Sequence, residues 1–295
     1  MTGMTARFAA IPAEARGAAL LVLATALFAS MDAIGKGLMQ RHDPFQVVWA
    51  RYAAQAVIVA IIVSPRLGRV IRTARPGLQV IRSALLFMAT LCGFFAFSVM
   101  PLADATAIFQ TAPLAITALA ALILREPVGP RRWAGVMVGF LGALIIVRPG
   151  ADVFQPAALL PMLGALFFAG YSIATRFLGR DESYWTTFLY TAALGALIAS
   201  AFVPLVWVTP TWGDAALMLA MGAIGSAGQF LLIVAFNTAP ASAIAPFTYA
   251  GLIFATLWGY LFFGDAPDGW TATGAAVIVG SGVYVWRRER MRKRA

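Results

Sequence analysis

Three charged residues stand inside otherwise apolar stretches, Asp32 and Lys36 in ASMDAIGKGL and Arg51 in WARYA. Asp32 and Lys36 are four apart, so a helix puts them on one face, close enough to pair. Charges are expensive in hydrocarbon and usually face a cavity or a partner. Two readings follow: a solute site in which Lys36 or Arg51 engages a negative group while Asp32 holds the lysine or binds a cation, or a structural salt bridge with Lys36 and Arg51 snorkelling to opposite interfaces. Gln110, Thr111 and Gln229, with Trp49, Tyr52, Tyr171, Tyr190 and Tyr249, add polar tips and aromatic faces. Such a lining suits a planar or amphipathic organic solute. The alternative is interhelical hydrogen bonding and interfacial aromatic belts. Catalytic material is scarce: Cys92 is the only cysteine, His42 the only histidine, and no carboxylates pair within an apolar stretch. That argues against a nucleophile with its base, a metal site, a disulfide framework or any cofactor. An integral membrane enzyme or a non-transporting scaffold therefore ranks behind transport.

The elements that must position these residues are apolar. Of 295 residues, 61% are hydrophobic and 12% charged, against roughly 25% charged in soluble domains. Stretches of about 20 apolar residues recur near 17–39, 45–63, 80–100, 104–124, 132–148, 157–178, 186–208, 213–236, 241–263 and 270–286. Each is expected to be a helix, since backbone polar groups cannot stay unpaired in lipid and no alternating ten-residue strands are present. The first stretch, which follows Arg7 and Arg16, is longer than a signal-peptide core and reads as a retained span. Pro113 and Pro246 mark places where the fourth and ninth spans are expected to break or kink.

Ten spans put both termini on one side. With the N-terminus inside, the inner segments hold Arg7 and Arg16; Arg66, Arg69, Arg72, Arg75 and Arg82; Arg125, Arg131 and Arg132; Arg176 and Arg180; and Arg287, Arg288, Arg290, Arg292, Lys293 and Arg294. That is 18 of the 22 cations, and only Lys36, Arg41 and Arg148 lie at outer ends. The asymmetry predicts a multi-pass protein of the cytoplasmic (inner) membrane with both termini cytoplasmic. The net charge of +10 is thereby assigned to topology and anionic lipid headgroups, with no nucleic acid as partner.

The two halves align without a gap at an offset of 139. Ala26-Leu27-Phe28 falls on Ala165-Leu166-Phe167, Ile34 on Ile173, Arg41 on Arg180, Ala96-Phe97 on Ala235-Phe236, Pro101 on Pro240, Glu126 on Asp265 and Gly135 on Gly274. The offset carries Asp32, Lys36 and Arg51 onto Tyr171, Thr175 and Tyr190, so the second copy lacks the charges. Five spans per copy force the second to enter from the opposite side. The expected fold is an all-α integral membrane protein of ten helices, in two inverted five-helix repeats over 17–148 and 157–286. In secondary transporters such repeats place a site near the midplane and give alternating access by rocking. Gly135, Gly139 and Gly142 have small-residue spacing that points to helix packing within a half or to a homodimer.

The stretches Pro101 to Gly142, PLADATAIFQTAPLAITALAALILREPVGPRRWAGVMVGFLG, and Pro240 to Gly282, PASAIAPFTYAGLIFATLWGYLFFGDAPDGWTATGAAVIVGSG, resemble the EamA-like branch of the drug/metabolite transporter superfamily. Both follow its pattern of a proline before a small-residue helix, an acidic residue, a short turn and a Gly-rich final helix. Glu126 matches the acidic position; Asp265 is a shorter version whose following proline is replaced by Ala266. Asp32, Lys36 and Arg51 are similar to features of members proposed to move S-adenosylmethionine, riboflavin or other metabolites. The resemblance implies a secondary transporter of a small organic metabolite, nucleotide-like or amino-acid-like. The three charges sum to +1, favouring a zwitterionic or anionic solute, and the alternative is an exporter of amphipathic drugs or metabolites.

Overall fold

The structure is a computed structural model, and it describes residues 12–123, 125, 129–148, 156–178, 182–239 and 244–292. All regular structure among them is helical. The helices are α1 (Ala13–Leu38), α2 (Pro44–Val63), α3 (Pro76–Val99), α4 (Leu102–Phe109), α5 (Ala112–Ile123), α6 (Pro130–Val147), α7 (Leu159–Leu178), α8 (Tyr184–Phe202), α9 (Trp212–Thr238), α10 (Ala250–Phe263) and α11 (Gly269–Arg292). Seven segments, including the broken one Leu102–Ile123, are long and apolar enough to cross a membrane, and Trp133–Val147 and Phe247–Phe263 are shorter apolar helices. Glu126, Arg180 and Pro240, which carry part of the repeat pattern, lie outside the described residues.

Helix starts follow local chemistry. Pro44 and Pro76 open α2 and α3, where the missing N–H costs nothing. Asp43 caps α2 by accepting from the Phe45 N–H (2.8 Å), and Thr211 caps α9 by accepting from the Asp214 N–H (3.2 Å). The C-terminus of α10 ends on Gly264 at φ 70, a conformation glycine adopts without a Cβ clash. Ile61, Leu197, Leu219 and Ile253, each about two-thirds exposed, face outward, as expected of a surface meant for lipid.

The helices pack in a reciprocal pattern. α1 lies along α9 and α3 along α7; α1 touches α10 and α5 touches α7; α9 touches α2 and α3 touches α8; α2 with α8, α4 with α10, and α6 with α11 meet directly. Close approaches fix the directions. A Cβ on Gly35 would meet Met221 at 3.5 Å, Gly225 abuts Met31 and Gly228 abuts Phe28, so α1 and α9 run antiparallel. Shifting the Met31–Gly225 contact by the repeat offset, to 31 + 139 = 170 and 225 − 139 = 86, calls for Gly170 opposite Leu86. The structure places Gly170 against Leu85, one residue away.

One sequence expectation takes definite form here, and the role of the glycines in α6 is extended. The fourth span is broken at Gln110–Thr111 between α4 and α5, and the ninth begins as a 3-10 turn, Ala245–Tyr249, ahead of α10. Pro113 stands in the first turn of α5, just after the break, and Pro246 stands within the 3-10 turn. Gly142 packs across the halves, facing Gly274 and Ile278, and Gly139 packs both within its own half, on Leu114, and across to Ser281. They join the last helices of the two halves, because only bare backbone lets α6 and α11 come this close.

Candidate functional site

A polar pocket lies where α2, α3, α7, α8 and α9 converge. Arg51, Tyr52 and Gln55 line it from α2, Arg82 and Leu86 from α3, and Tyr171 from α7; Tyr184, Thr187, Phe188 and Thr191 line it from α8, and Gln229 from α9. Both halves of the chain contribute. Arg82 is 4% exposed and is held on four sides. Its Nε donates to Thr175 Oγ1 (2.7 Å), one Nη to Thr191 Oγ1 (2.9 Å) and Thr187 O (3.5 Å), and the other to the Tyr171 hydroxyl (2.7 Å). The guanidinium also stacks 4.4 Å from the centre of the Tyr171 ring. Arg51 donates to Thr90 Oγ1 (3.0 Å) and lies over the Tyr52 and Phe94 rings at 5.2 and 5.7 Å. Its Nε has no partner, and neither has the buried Tyr184 hydroxyl.

At the end of the bundle where α1 and α10 finish, ion pairs join the halves. Lys36 Nζ lies 3.1 Å from Asp265 Oδ2, donates to Met100 O (2.7 Å) and sits 5.3 Å from the Phe263 ring centre. Asp214 accepts from Arg41 (2.5 Å) and Thr211 (2.9 Å) and pairs with His42 Nε2 (3.2 Å). Arg148 pairs with Asp268; the Thr271 backbone N–H, then this arginine, hold that carboxyl below its ordinary range. At the opposite end the loops meet through hydrogen bonds: Glu182 accepts from Thr73 Oγ1 (2.5 Å) and the Ala74 N–H (3.0 Å), and Tyr190 donates to Ile71 O (3.0 Å).

Of the residues singled out in the sequence, Arg51, Tyr52, Tyr171 and Gln229 line the pocket, and Asp32, Lys36, Trp49, Gln110, Thr111, Tyr190 and Tyr249 do not. Asp32 and Lys36 share α1 but form no ion pair with each other. Lys36 takes Asp265 instead, because the end of α1 packs beside the end of α10, and Asp32 lies within electrostatic reach of Arg51. Arg51 does not snorkel; it is held by Thr90 of the neighbouring α3. Gln110, at the break between α4 and α5, donates to Thr248 O (3.4 Å), and Tyr249 packs its ring on the bare backbone at Gly282. Trp49 donates to Ser200 Oγ (2.9 Å) against Trp207.

The sequence reading missed Arg82, grouping it with cations that mark topology. Its own span limits, however, put Arg82 two residues inside the third apolar stretch, and the offset carries it onto uncharged Met221, as happens with Asp32, Lys36 and Arg51. Two of the groups that hold it, Tyr171 and Thr175, are the repeat mates of Asp32 and Lys36.

An all-helical, multi-pass membrane protein whose two halves enclose a polar pocket belongs to the class of small-molecule transporters, and no enzymatic family is indicated. More narrowly, the chain belongs to the EamA-like transporter family, whose model matches it twice, over residues 15–148 and 155–287. It is 30% identical to the S-adenosylmethionine uptake transporter of Rickettsia bellii (strain RML369-C), over 88% of this chain and 89% of that one. It is 36% identical to the riboflavin transporter of Rhizobium johnstonii (strain DSM 114642 / LMG 32736 / 3841), over 73% and 71%. With the pseudopaline exporter CntI of Pseudomonas aeruginosa (strain UCBPP-PA14) it shares 29%, over 93% and 97%. One solved crystal structure, at 24% identity, superposes with a TM-score of 0.63 over 93% of this chain and 99% of that one, a likeness of fold.

Proposed function

We propose that the chain is a secondary transporter that carries a small zwitterionic or anionic metabolite across the cytoplasmic membrane by alternating access. In this reading residues 17–148 and 157–286 are inverted five-helix repeats, ten spans in all, with both termini cytoplasmic. The observation that supports it is the reciprocal packing of α1 on α9 and α3 on α7, the pattern expected if the two halves are exchanged by a two-fold axis, around a pocket built from both halves. Such an arrangement supports a rocking exchange of access about a fixed site. Arg51, Tyr171 and Gln229 hold the solute from the pocket wall. Asp32 biases Arg51 from α1, Lys36 works in the ion pairs at the outer end, and Gln110 and Tyr249 sit at the helix breaks.

The relative named for S-adenosylmethionine uptake supports uptake, and it and the relative named for riboflavin support a functionalised organic metabolite as solute. Export is the second reading, supported by the relative named as an exporter; alternating access runs in whichever direction the gradients and coupling dictate. Purified protein in proteoliposomes, given radiolabelled S-adenosylmethionine, riboflavin and a panel of amino acids and nucleosides, is expected to show saturable flux of at least one solute. Flux no greater than that of empty liposomes for the whole panel, with no thermal stabilisation by any member, would overturn the reading. Right-side-out and inside-out vesicles separate uptake from export.

A further inference from the structure

Arg82 is a buried cation with no anion beside it among the described residues. A charge removed from water this completely ordinarily takes an acidic partner. Here every group the Arg82 guanidinium reaches is neutral: three hydroxyls and one backbone carbonyl. The second cation of the pocket, Arg51, likewise makes no ion pair to a described residue. It donates to one hydroxyl, leaves its Nε N–H unpartnered and feels Asp32 only at a distance. The Tyr184 hydroxyl adds another buried donor with nothing to accept it. No acidic side chain is among the residues that line the pocket. The pocket therefore presents two cations and no anion, its acceptors being neutral hydroxyls and the amide oxygens of Gln55 and Gln229.

We propose that Arg82 and Arg51 anchor a carboxylate carried by the transported solute, whose remaining, flat part lies against the Tyr52, Tyr171 and Tyr184 rings. The proposal rests on the reading of this pocket as the transport site. Arg82 engages four of its five N–H groups with its neighbours and offers the anion its charge and one remaining Nη N–H. Arg51 engages one on Thr90 and keeps the planar fork that matches the two oxygens of a carboxylate, as an ammonium cannot. With Asp32 offsetting part of the two positive charges, the field suits a monoanion better than a phosphate dianion. A lipophilic cation meets repulsion from both arginines. Arg82 is pre-positioned by Thr175, Thr191 and Tyr171, so little side-chain freedom is lost when the anion arrives.

The test uses the full-length protein in nanodiscs and two probes that differ only in charge, 4-hydroxyphenylacetate and 4-hydroxyphenylacetamide. Binding is read by equilibrium dialysis and by thermal stabilisation. The carboxylate is expected to bind at least about tenfold more tightly than the amide. Arg82→Lys, which keeps the charge and loses the planar guanidinium and the bonds that position it, should reduce that preference severalfold. Arg51→Gln, which leaves the hydrogen bonds of Arg82 intact, should reduce it as well. Equal binding of the two probes, binding of neither up to their solubility, or an unchanged preference in both variants would overturn the anchor. The transport reading fails separately. A carboxylate preference without flux of any solute in proteoliposomes would sink transport and leave the anchor standing. Equal flux of a solute and its carboxyl-blocked analogue would sink the anchor and leave transport standing.

Discussion

Replacing Lys36 by Met removes one side of an ion pair that ties α1 of the first half to the turn after α10 of the second. At 3.1 Å and an effective dielectric near 20, the bare attraction is about 5 kcal/mol. The side chains are 14% and 25% exposed, so desolvation offsets much of this, and couplings measured for close charge pairs start at about 1.5 kcal/mol. A net value of about 2 kcal/mol corresponds to roughly 30-fold in an equilibrium constant. If the pair forms only while the outer end is closed, Lys36→Met shifts the protein toward the outward-open state by that factor. Arg148 and Asp268 span the same end but are 28% and 47% exposed. A pair this open to water is worth at most about 1 kcal/mol, so Asp268→Asn should shift the equilibrium no more than about fivefold. Because Cys92 is the only cysteine, a Cys92→Ala background with Gln229→Cys gives a single thiol in the pocket. A membrane-impermeant maleimide added from outside should label it on the order of 30-fold faster when Lys36 is Met. An unchanged rate would refute the assignment of Lys36–Asp265 as a closing contact; a rate as high for Asp268→Asn would refute the ranking by exposure.

Three further outcomes are expected. The arginine and lysine asymmetry predicts a cytoplasmic C-terminus, so a C-terminal fusion to a reporter active only outside the cytoplasm should stay silent; strong activity would reverse the orientation. A Cβ on Gly142 would stand 2.9 Å from Gly274 O and 2.9 Å from Ile278 Cγ1, and a backbone oxygen has little room to yield. Gly142→Val should therefore destabilise the fold by at least the 1–3 kcal/mol typical of overpacking, read as a lower melting temperature in detergent, and an unaltered melting curve would show that α6 and α11 do not meet there. Asp32→Asn removes the carboxylate that Arg51 feels and should abolish solute flux while membrane insertion stays normal, since losing a charge does not penalise insertion; wild-type flux with unchanged pH dependence would make Asp32 structural.

Hydropathy alone determined that the chain is helical and spans a membrane, because a lipid solvent leaves the backbone few other ways to satisfy its polar groups. The self-alignment at 139 determined which residues are repeat mates, and Gly170 beside Leu85 is the contact it implies to within one residue. Pro113 and Pro246 marked where two spans break, since proline removes an N–H wherever it stands. Partners across the bundle were another matter. Spacing on α1 suggested Asp32 for Lys36, and the geometry of one helix cannot reveal that Asp265 arrives from the far end of the chain at 3.1 Å. The same holds for Arg82: in sequence it is one more arginine near a membrane boundary, and the Thr175, Thr191 and Tyr171 oxygens that hold it come from helices about 90 to 110 residues away. Only tertiary packing decides whether a charge at the edge of an apolar run turns outward to water or inward to a pocket. That choice depends on which neutral oxygens the neighbouring helices bring within reach, a property of their crossings and not of local composition.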